Sequence, residues 1–146
     1  MSSENVELIR SFHPGLDVDV AALVEDDDAA RRMQEAIEHA FDPGVECTMR
    51  FSGGAAVRYP GGIEGLRTAW QDCLKHWVSC HTEVEDMIDA GDRVVVIFAV
   101  QGRQSPEGPE IALKRATIWT LRDNRVVRVD FNLPLSEALA ALERAK

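Results

Sequence analysis

The chain has 146 residues, of which 45% are hydrophobic and 28% charged, so it suits one domain with its own core and lies outside the disordered class. Its formal net charge of −9 repels phosphate backbones and anionic lipid surfaces, which argues against nucleic-acid and membrane partners. The N-terminal segment lacks the basic start and long apolar run of a signal peptide. We therefore predict a cytoplasmic protein in which residues 1–146 form a single domain.

Three helices are predicted before the first strand. Residues 4–12 form a short amphipathic helix that ends where Pro14 bars its continuation. A second short helix is expected at 18–24, and a third follows the acidic run 25–28, which supplies N-terminal capping carboxylates. The third helix is expected to stop at the Asp-Pro-Gly sequence that begins at position 42.

A strand pair and a long helix follow. Alternation predicts strands at 45–51 and 55–59, the second of them between two glycine-rich breaks. A helix of about four turns comes next, with an apolar stripe of Ile63, Leu66, Trp70, Leu74 and Trp77. Trp70 and Trp77 either form the floor of a pocket or fill the core, and both alternatives stay open.

The three cysteines form neither an even disulfide set nor a CxxC pair, as is common in a reducing compartment. Cys73, His76 and Cys80 would share one flank if the helix continued to Cys80, as zinc ligands do. That flank borders the apolar stripe, buried free cysteine is common, and a fourth ligand is not evident. We predict no metal site and no cofactor.

The rest of the chain predicts an antiparallel meander and a C-terminal helix at 136–144. The meander strands are expected at 81–87, 93–102, 110–121 and 125–133, with a tight last turn at Asp123 and Asn124. Helices followed by such a meander indicate an α+β domain in which a curved antiparallel sheet wraps around the N-terminal helices as a cone. The open end of a cone can hold a small apolar molecule.

The last hairpin carries one polar face. Pairing its strands across Asp123 and Asn124 places Arg115, Thr117 and Trp119 opposite Asn132, Asp130 and Arg128. If this face lines the cone, it forms a pocket wall that Phe98 continues, with Tyr59 near the rim. The alternative is a salt-bridged outer face, with an apolar inner face made of Ala116, Ile118, Val127, Val129 and Phe131.

A family resemblance rests on three stretches, YPGGIEGLRTAWQDCLKHW, VEDMIDAGDRVVVIFAVQGR and RATIWTLRDNRVVRVDFNLPLSEALAAL. They resemble the SnoaL-like branch of the nuclear-transport-factor-2-like superfamily, which includes ketosteroid isomerases, polyketide cyclases and limonene-epoxide hydrolases. The resemblance covers residues 42–142. It implies a cone-shaped α+β barrel, usually a homodimer that packs its outer sheet faces together.

The family's site residues carry over only in part. Polyketide cyclases have a cavity-facing His and Asp on these strands, with the Asp as general acid/base; Asp130 matches the Asp, whereas Thr117 replaces the His and cannot take up a proton at neutral pH. Asn132 stands where the branch often has Tyr. The Arg-x-Asp of limonene-epoxide hydrolases and the first-helix Tyr of ketosteroid isomerases have no counterpart.

We predict a SnoaL-like protein that binds a small hydrophobic molecule. As an enzyme it would perform cofactor-free acid/base chemistry, an isomerisation, cyclisation or hydration, on a ring-containing substrate. Asp130 would move the proton, Arg115 or Asn132 would hold a developing oxyanion, and Trp70 and Trp119 would pack the rings. The alternative is a non-catalytic homodimeric module that binds a ligand or a partner protein, which the loss of the family's His and Tyr favours.

Overall fold

The computed structural model describes residues 3–13, 18–50 and 55–144. The helices are α1 (Ser3–Arg10), α2 (Val20–Glu25), α3 (Asp27–Ile37), a 3-10 turn (Glu38–Ala40), α4 (Ile63–Leu74) and α5 (Leu135–Arg144). The strands are β1 (Phe41–Arg50), β2 (Ala56–Tyr59), β3 (Ser79–Asp89), β4 (Arg93–Arg103), β5 (Ile111–Arg122) and β6 (Arg125–Leu133). The predicted helix stop at Pro14 and the glycine-rich break at 52–54 lie outside the described residues. No described helix has both the length and the apolar character needed to cross a membrane.

Six strands form one curved sheet in the order β2-β1-β6-β5-β4-β3. The predicted α+β fold and the antiparallel meander from β3 to β6 are confirmed. One detail of the prediction is wrong: β1 pairs with β6 in parallel, so the sheet is mixed. The two edge strands, β2 and β3, do not pair with each other, so the sheet is open.

The two faces of the sheet bury separate cores. The inner face packs against α1 and α4, and its cluster contains Ile9, Ala69, Val94 and Trp119, all of them buried. The outer face packs against α5, and its cluster contains Val95, Ala116, Ile118, Leu133 and Ala138. Fully burying a side chain the size of valine contributes about 1.5–3 kcal/mol, so both faces stabilise the fold.

The hairpin between β5 and β6 turns as predicted. Arg122 pairs with Arg125 across a two-residue turn in which Asp123 and Asn124 have φ values of 54° and 64°. Two consecutive left-handed residues match the right-handed twist of the flanking strands, and Asp and Asn tolerate that conformation.

A bulge directly after this turn changes the faces of β6. The register shifts by one residue between Thr120 and Leu121, and Val127 is the extra residue on β6. Because side chains alternate along a strand, this shift turns every later side chain of β6 to the opposite face. Arg128 therefore pairs with Thr120 and Asp130 with Ile118, both on the outer face. The predicted pairs of Trp119 with Arg128 and Thr117 with Asp130 are wrong for this reason.

A second bulge near the end of β6 reverses the effect. Between the pairs of Ile118 with Asp130 and of Ala116 with Leu133, Thr117 faces two residues, Phe131 and Asn132. Asn132 has φ 63°, a left-handed conformation that Asn adopts more readily than most residues. The bulge returns Asn132 to the inner face while Leu133 joins the outer core.

Two element ends differ from prediction. β1 begins at Phe41 and therefore includes the Asp-Pro-Gly sequence. This sequence forms an irregular strand start, with a register shift before Glu46, and does not interrupt the strand. α4 ends at Leu74, and Cys80 lies on β3. The helical spacing that would place Cys73 and Cys80 on one flank is therefore absent.

Candidate functional site

A cavity of about 520 Å³ lies between the inner face of the sheet and the helices. This volume falls within the range of ~300–1,000 Å³ that small-molecule sites occupy. The lining is mainly apolar and includes Phe12, Met49, Leu74, Val100, Leu113 and Phe131. Polar side chains also line it, namely His13, Arg50, Cys73, His76, Thr82, Gln104, Arg115, Thr117 and Asn132.

All three tryptophans of the chain line this cavity. Trp70 and Trp119 both pack against Phe131, with ring centroids 6.0 and 5.7 Å from it. Trp77 packs against a smaller cluster around Cys80 and Val100. Trp70 and Trp77 thus combine the two alternatives, pocket floor and core filling. Each packs on buried residues, and each also lines the cavity.

The inner-face residues of β5 form one wall of the cavity. Trp119 and Thr117 are 2% and 3% exposed, whereas Arg115 is half-buried, so burial increases along the strand toward Trp119. Phe98 pairs with Arg115 from β4 and also lines the cavity. The β5 residues of the predicted polar face therefore line the cavity.

Asn132 joins this wall through the second bulge of β6. Its Nδ2 atom donates a hydrogen bond to the Sγ atom of Cys73, 3.3 Å away on α4. Burial raises the pKa of the Cys73 thiol, although this bond opposes the shift, so the thiol stays neutral near pH 7. The second hydrogen of Nδ2 remains as a donor, and the amide oxygen as an acceptor, for another group.

His13 is a cavity residue that the sequence analysis did not identify as functional. Its Nδ1 lies 2.8 Å from the carbonyl oxygen of Ile9, which can only accept, so Nδ1 carries the hydrogen. Burial lowers the pKa of His13, and this backbone hydrogen bond only partly opposes the shift. The neutral imidazole therefore has its lone pair on Nε2, and its ring lies 5.9 Å from the ring of Trp119 at an interplanar angle of 75°.

Asp130 does not line the cavity, contrary to its predicted orientation. Its carboxylate lies on the outer face, where Oδ1 accepts a 2.7 Å hydrogen bond from Oγ1 of Thr48 and Oδ2 lies 3.1 Å from Nε of Arg128. The bulge at Val127 is the physical reason for this placement. The predicted catalytic role needs a carboxylate that reaches the cavity, and this position does not provide one.

Arg128 extends the outer-face ion pairs to a third group. Its Nη1 atom lies 3.2 Å from a carboxylate oxygen of Glu46, and the bond to Asp130 is the main cause that raises the pKa of Arg128. Each of the two alternatives for the polar face of this hairpin is therefore correct for one of its strands. The β5 residues line the cavity, and Arg128 and Asp130 form a salt-bridged outer surface.

Tyr59 does not line the cavity either, although the sequence placed it near the rim. Its hydroxyl donates a 2.9 Å hydrogen bond to Oδ2 of Asp72 on α4. Burial, this hydrogen bond and the charge of Asp72 together raise the pKa of Tyr59 to about 12. Tyr59 therefore joins β2 to α4, and it is protonated at any physiological pH.

The domain has a curved, open sheet that wraps around helices, with an apolar cavity on the inner face of the sheet. These features define a class of small, cone-shaped α+β domains. The sequence model of the SnoaL-like domain matches residues 20–129, and the chain belongs to this family, within the nuclear-transport-factor-2-like superfamily. A search of curated proteins gives no match.

Solved structures share the fold over nearly the whole chain. One is a candidate SnoaL-like polyketide cyclase from Jannaschia sp. CCS1, 21% identical over 96% of this chain and 92% of that chain, with a TM-score of 0.63. Another is TerC co-crystallised with polyporic acid, 20% identical over 97% and 99% of the two chains, with a TM-score of 0.62. A third is an NTF2-like protein of unknown function from Burkholderia pseudomallei K96243, 17% identical over 96% and 98%, with a TM-score of 0.62.

Proposed function

We propose that the protein binds a small hydrophobic, ring-containing molecule in the cavity on the inner face. One observation carries this proposal: a 520 Å³ space lined by all three tryptophans of the chain and by a few separate polar groups. Flat aromatic side chains offer large contact area to rings, and isolated polar groups fix the orientation of a ligand. The similarity to TerC, which was crystallised with polyporic acid, supports a small-molecule role for this fold.

If the bound molecule is transformed, the cavity residues favour proton transfer without a cofactor. Within the described part of the chain, no Asp or Glu lines the cavity, so the proton acceptor is a histidine in this proposal. Nε2 of His13 would take a proton from an acidic carbon of the ligand, and Arg115 or Asn132 would hold the oxyanion that forms. Isomerisation and cyclisation use such a step, whereas in a hydration the same base would take the proton from the attacking water.

A second candidate function is a homodimeric binding module without catalysis. Two observations favour it: Thr117 stands at the family's histidine position, and Asp130 lies on the outer face. In this alternative the cavity holds a ligand or a segment of a partner protein, and the polar groups only orient it. A wild-type protein that binds the ligand but accelerates no proton transfer would be this module and not an enzyme.

The binding proposal is tested with N-phenyl-1-naphthylamine, an uncharged ring probe whose fluorescence rises in apolar surroundings. We expect Leu113→Trp, which fills part of the cavity, to weaken probe binding about ten-fold or more, since it replaces ligand contact by protein contact. Leu139→Trp adds the same ring at an exposed position of α5, 42% accessible in the wild type, and is the matched control. Equal affinity in both variants and the wild type would place the probe elsewhere and refute the proposal.

A further inference from the structure

The charge of the cavity wall is opposite to that of the protein. The chain has 25 acidic and 16 basic residues, yet the described cavity-lining residues include Arg50 and Arg115 and no carboxylate. A guanidinium in a recess with apolar walls creates a local positive potential unless a carboxylate pairs with it. The net charge of −9 keeps free anions away from the surface, so an anion bound here is held by the recess itself.

The two cavity arginines differ in their partners. Arg50 forms an ion pair with Glu137 of α5, and Lys114, the neighbour of Arg115 on the outer face, lies 3.1 Å from Glu85. Arg115 donates one hydrogen bond, of 3.3 Å, to the carbonyl oxygen of Lys114, and no described carboxylate lies within ion-pair distance of it. A guanidinium has five N–H donors, so Arg115 has most of its hydrogen-bonding capacity left for another group.

We propose that the ligand of this cavity carries an acidic oxygen, as a carboxylate, phenolate or enolate, and that Arg115 binds it. This inference rests on the proposed binding function and adds the chemical class of the ligand. The planar guanidinium fork matches two oxygens at once, which a carboxylate or a pair of neighbouring ring oxygens supplies.

The position of Arg115 on β5 also orients the ligand. Arg115 and Trp119 lie four residues apart on the same face, which is about 13 Å along a strand. Thr117 and Phe131 lie between them along the wall. The acidic group thus binds at the less buried end, and the rings extend toward Trp119 and His13.

Two probes that differ in one charged group test the inference. 8-Anilinonaphthalene-1-sulfonate and N-phenyl-1-naphthylamine share the same rings, and only the first carries an anion. Dissociation constants of both are measured by fluorescence for the wild type, Arg115→Gln and Arg125→Gln, the last being an exposed arginine at the start of β6. We expect Arg115→Gln to weaken sulfonate binding about ten-fold or more and to change binding of the uncharged probe less than about two-fold. Arg125→Gln should leave both constants near the wild-type values.

The outcomes separate this inference from the binding proposal. Equal effects of Arg115→Gln on both probes, or none on either, would overturn the acidic-ligand inference while binding itself stands. Sulfonate binding that persists unchanged in Leu113→Trp would place the anion outside the cavity and also overturn it. No binding of either probe to the wild type would refute the proposed function, and the inference with it.

Discussion

The imidazole of His13 is fixed in one tautomer by Ile9, because the 2.8 Å hydrogen bond from Nδ1 to the carbonyl oxygen leaves Nε2 without a proton. This bond spans one helical turn at the end of α1, so the helix itself orients the ring. A neutral imidazole held in an apolar cavity has the properties of a general base.

The first prediction concerns proton abstraction by His13. 5-Nitrobenzisoxazole loses its C3 proton to a base, its N–O bond breaks, and a coloured nitrophenolate forms, so it reports on bases in apolar cavities. We expect the wild type to accelerate this reaction and His13→Gln to lower the rate about 100-fold or more. The rate should rise with pH and reach a plateau once His13 is neutral. His39→Gln, at an exposed histidine, is the control, and a wild-type rate in His13→Gln would exclude His13 as the base.

The second prediction concerns pH and stability. Burial lowers the folded-state pKa of His13 below the ordinary value of 6.5, so the unfolded chain takes up the proton first as pH falls. The stability that neutral His13 contributes is present above pH 6.5 and is lost as pH falls toward the folded-state pKa. Urea unfolding at about pH 7.5 and 5.5 should show a larger loss of stability in the wild type than in His13→Gln. An equal loss in both would contradict the pKa shift, and His39→Gln should follow the wild type.

The third prediction concerns Asp130. Its carboxylate bonds to Thr48 and Arg128 on the outer face, and its side chain is only 18% exposed. Asp130→Asn should lower the free energy of unfolding by about 1–3 kcal/mol, because it weakens both bonds, and should leave probe binding and proton abstraction unchanged. Asp92→Asn, at an exposed residue, is the control and should change neither the stability, nor probe binding, nor proton abstraction. A large loss of proton abstraction in folded Asp130→Asn would show that this carboxylate reaches the reaction.

The fourth prediction separates the backbone of Asn132 from its side chain. At φ 63°, alanine is disfavoured by about 1–2 kcal/mol and glycine is not. We expect Asn132→Ala to unfold at lower urea concentration than Asn132→Gly. Both lose the hydrogen bond to Cys73, so the difference between them reports the cost of the left-handed conformation for alanine, less the larger unfolded-state entropy of glycine. A higher midpoint for Asn132→Ala would contradict a left-handed residue at position 132.

Local patterns predicted the strands well. The bounds of β6 agree with the prediction at both ends, and those of β3, β4 and β5 differ by at most two residues at either end. Period-two alternation and the Asp123–Asn124 turn are short-range signals, which a single sequence contains. The parallel pairing of β1 with β6 joins distant segments, and no local signal specifies it.

The faces of β6 were not predictable in the same way. Val126, Val127 and Val129 suit either side of a sheet that buries both faces, so alternation does not show which valine is the extra one. The ion pair of Arg128 with Glu46 joins β6 to β1, which lies far away in the chain, so no local pattern specifies it. His13 was missed because it follows a helix and precedes Pro14, a context typical of a turn.

The extra residue at Val127 has a consequence for how such a site changes. Pairing Val127 with Thr120, as in a ladder without the bulge, would place Arg128 and Asp130 opposite Trp119 and Thr117, which adds an acid and another guanidinium to the cavity wall. Deleting Val127 would instead remove the bulge and leave both residues on the outer face. A shift of one residue in the register of a single hairpin can therefore change which reactive groups this domain presents, while the rest of the scaffold is kept.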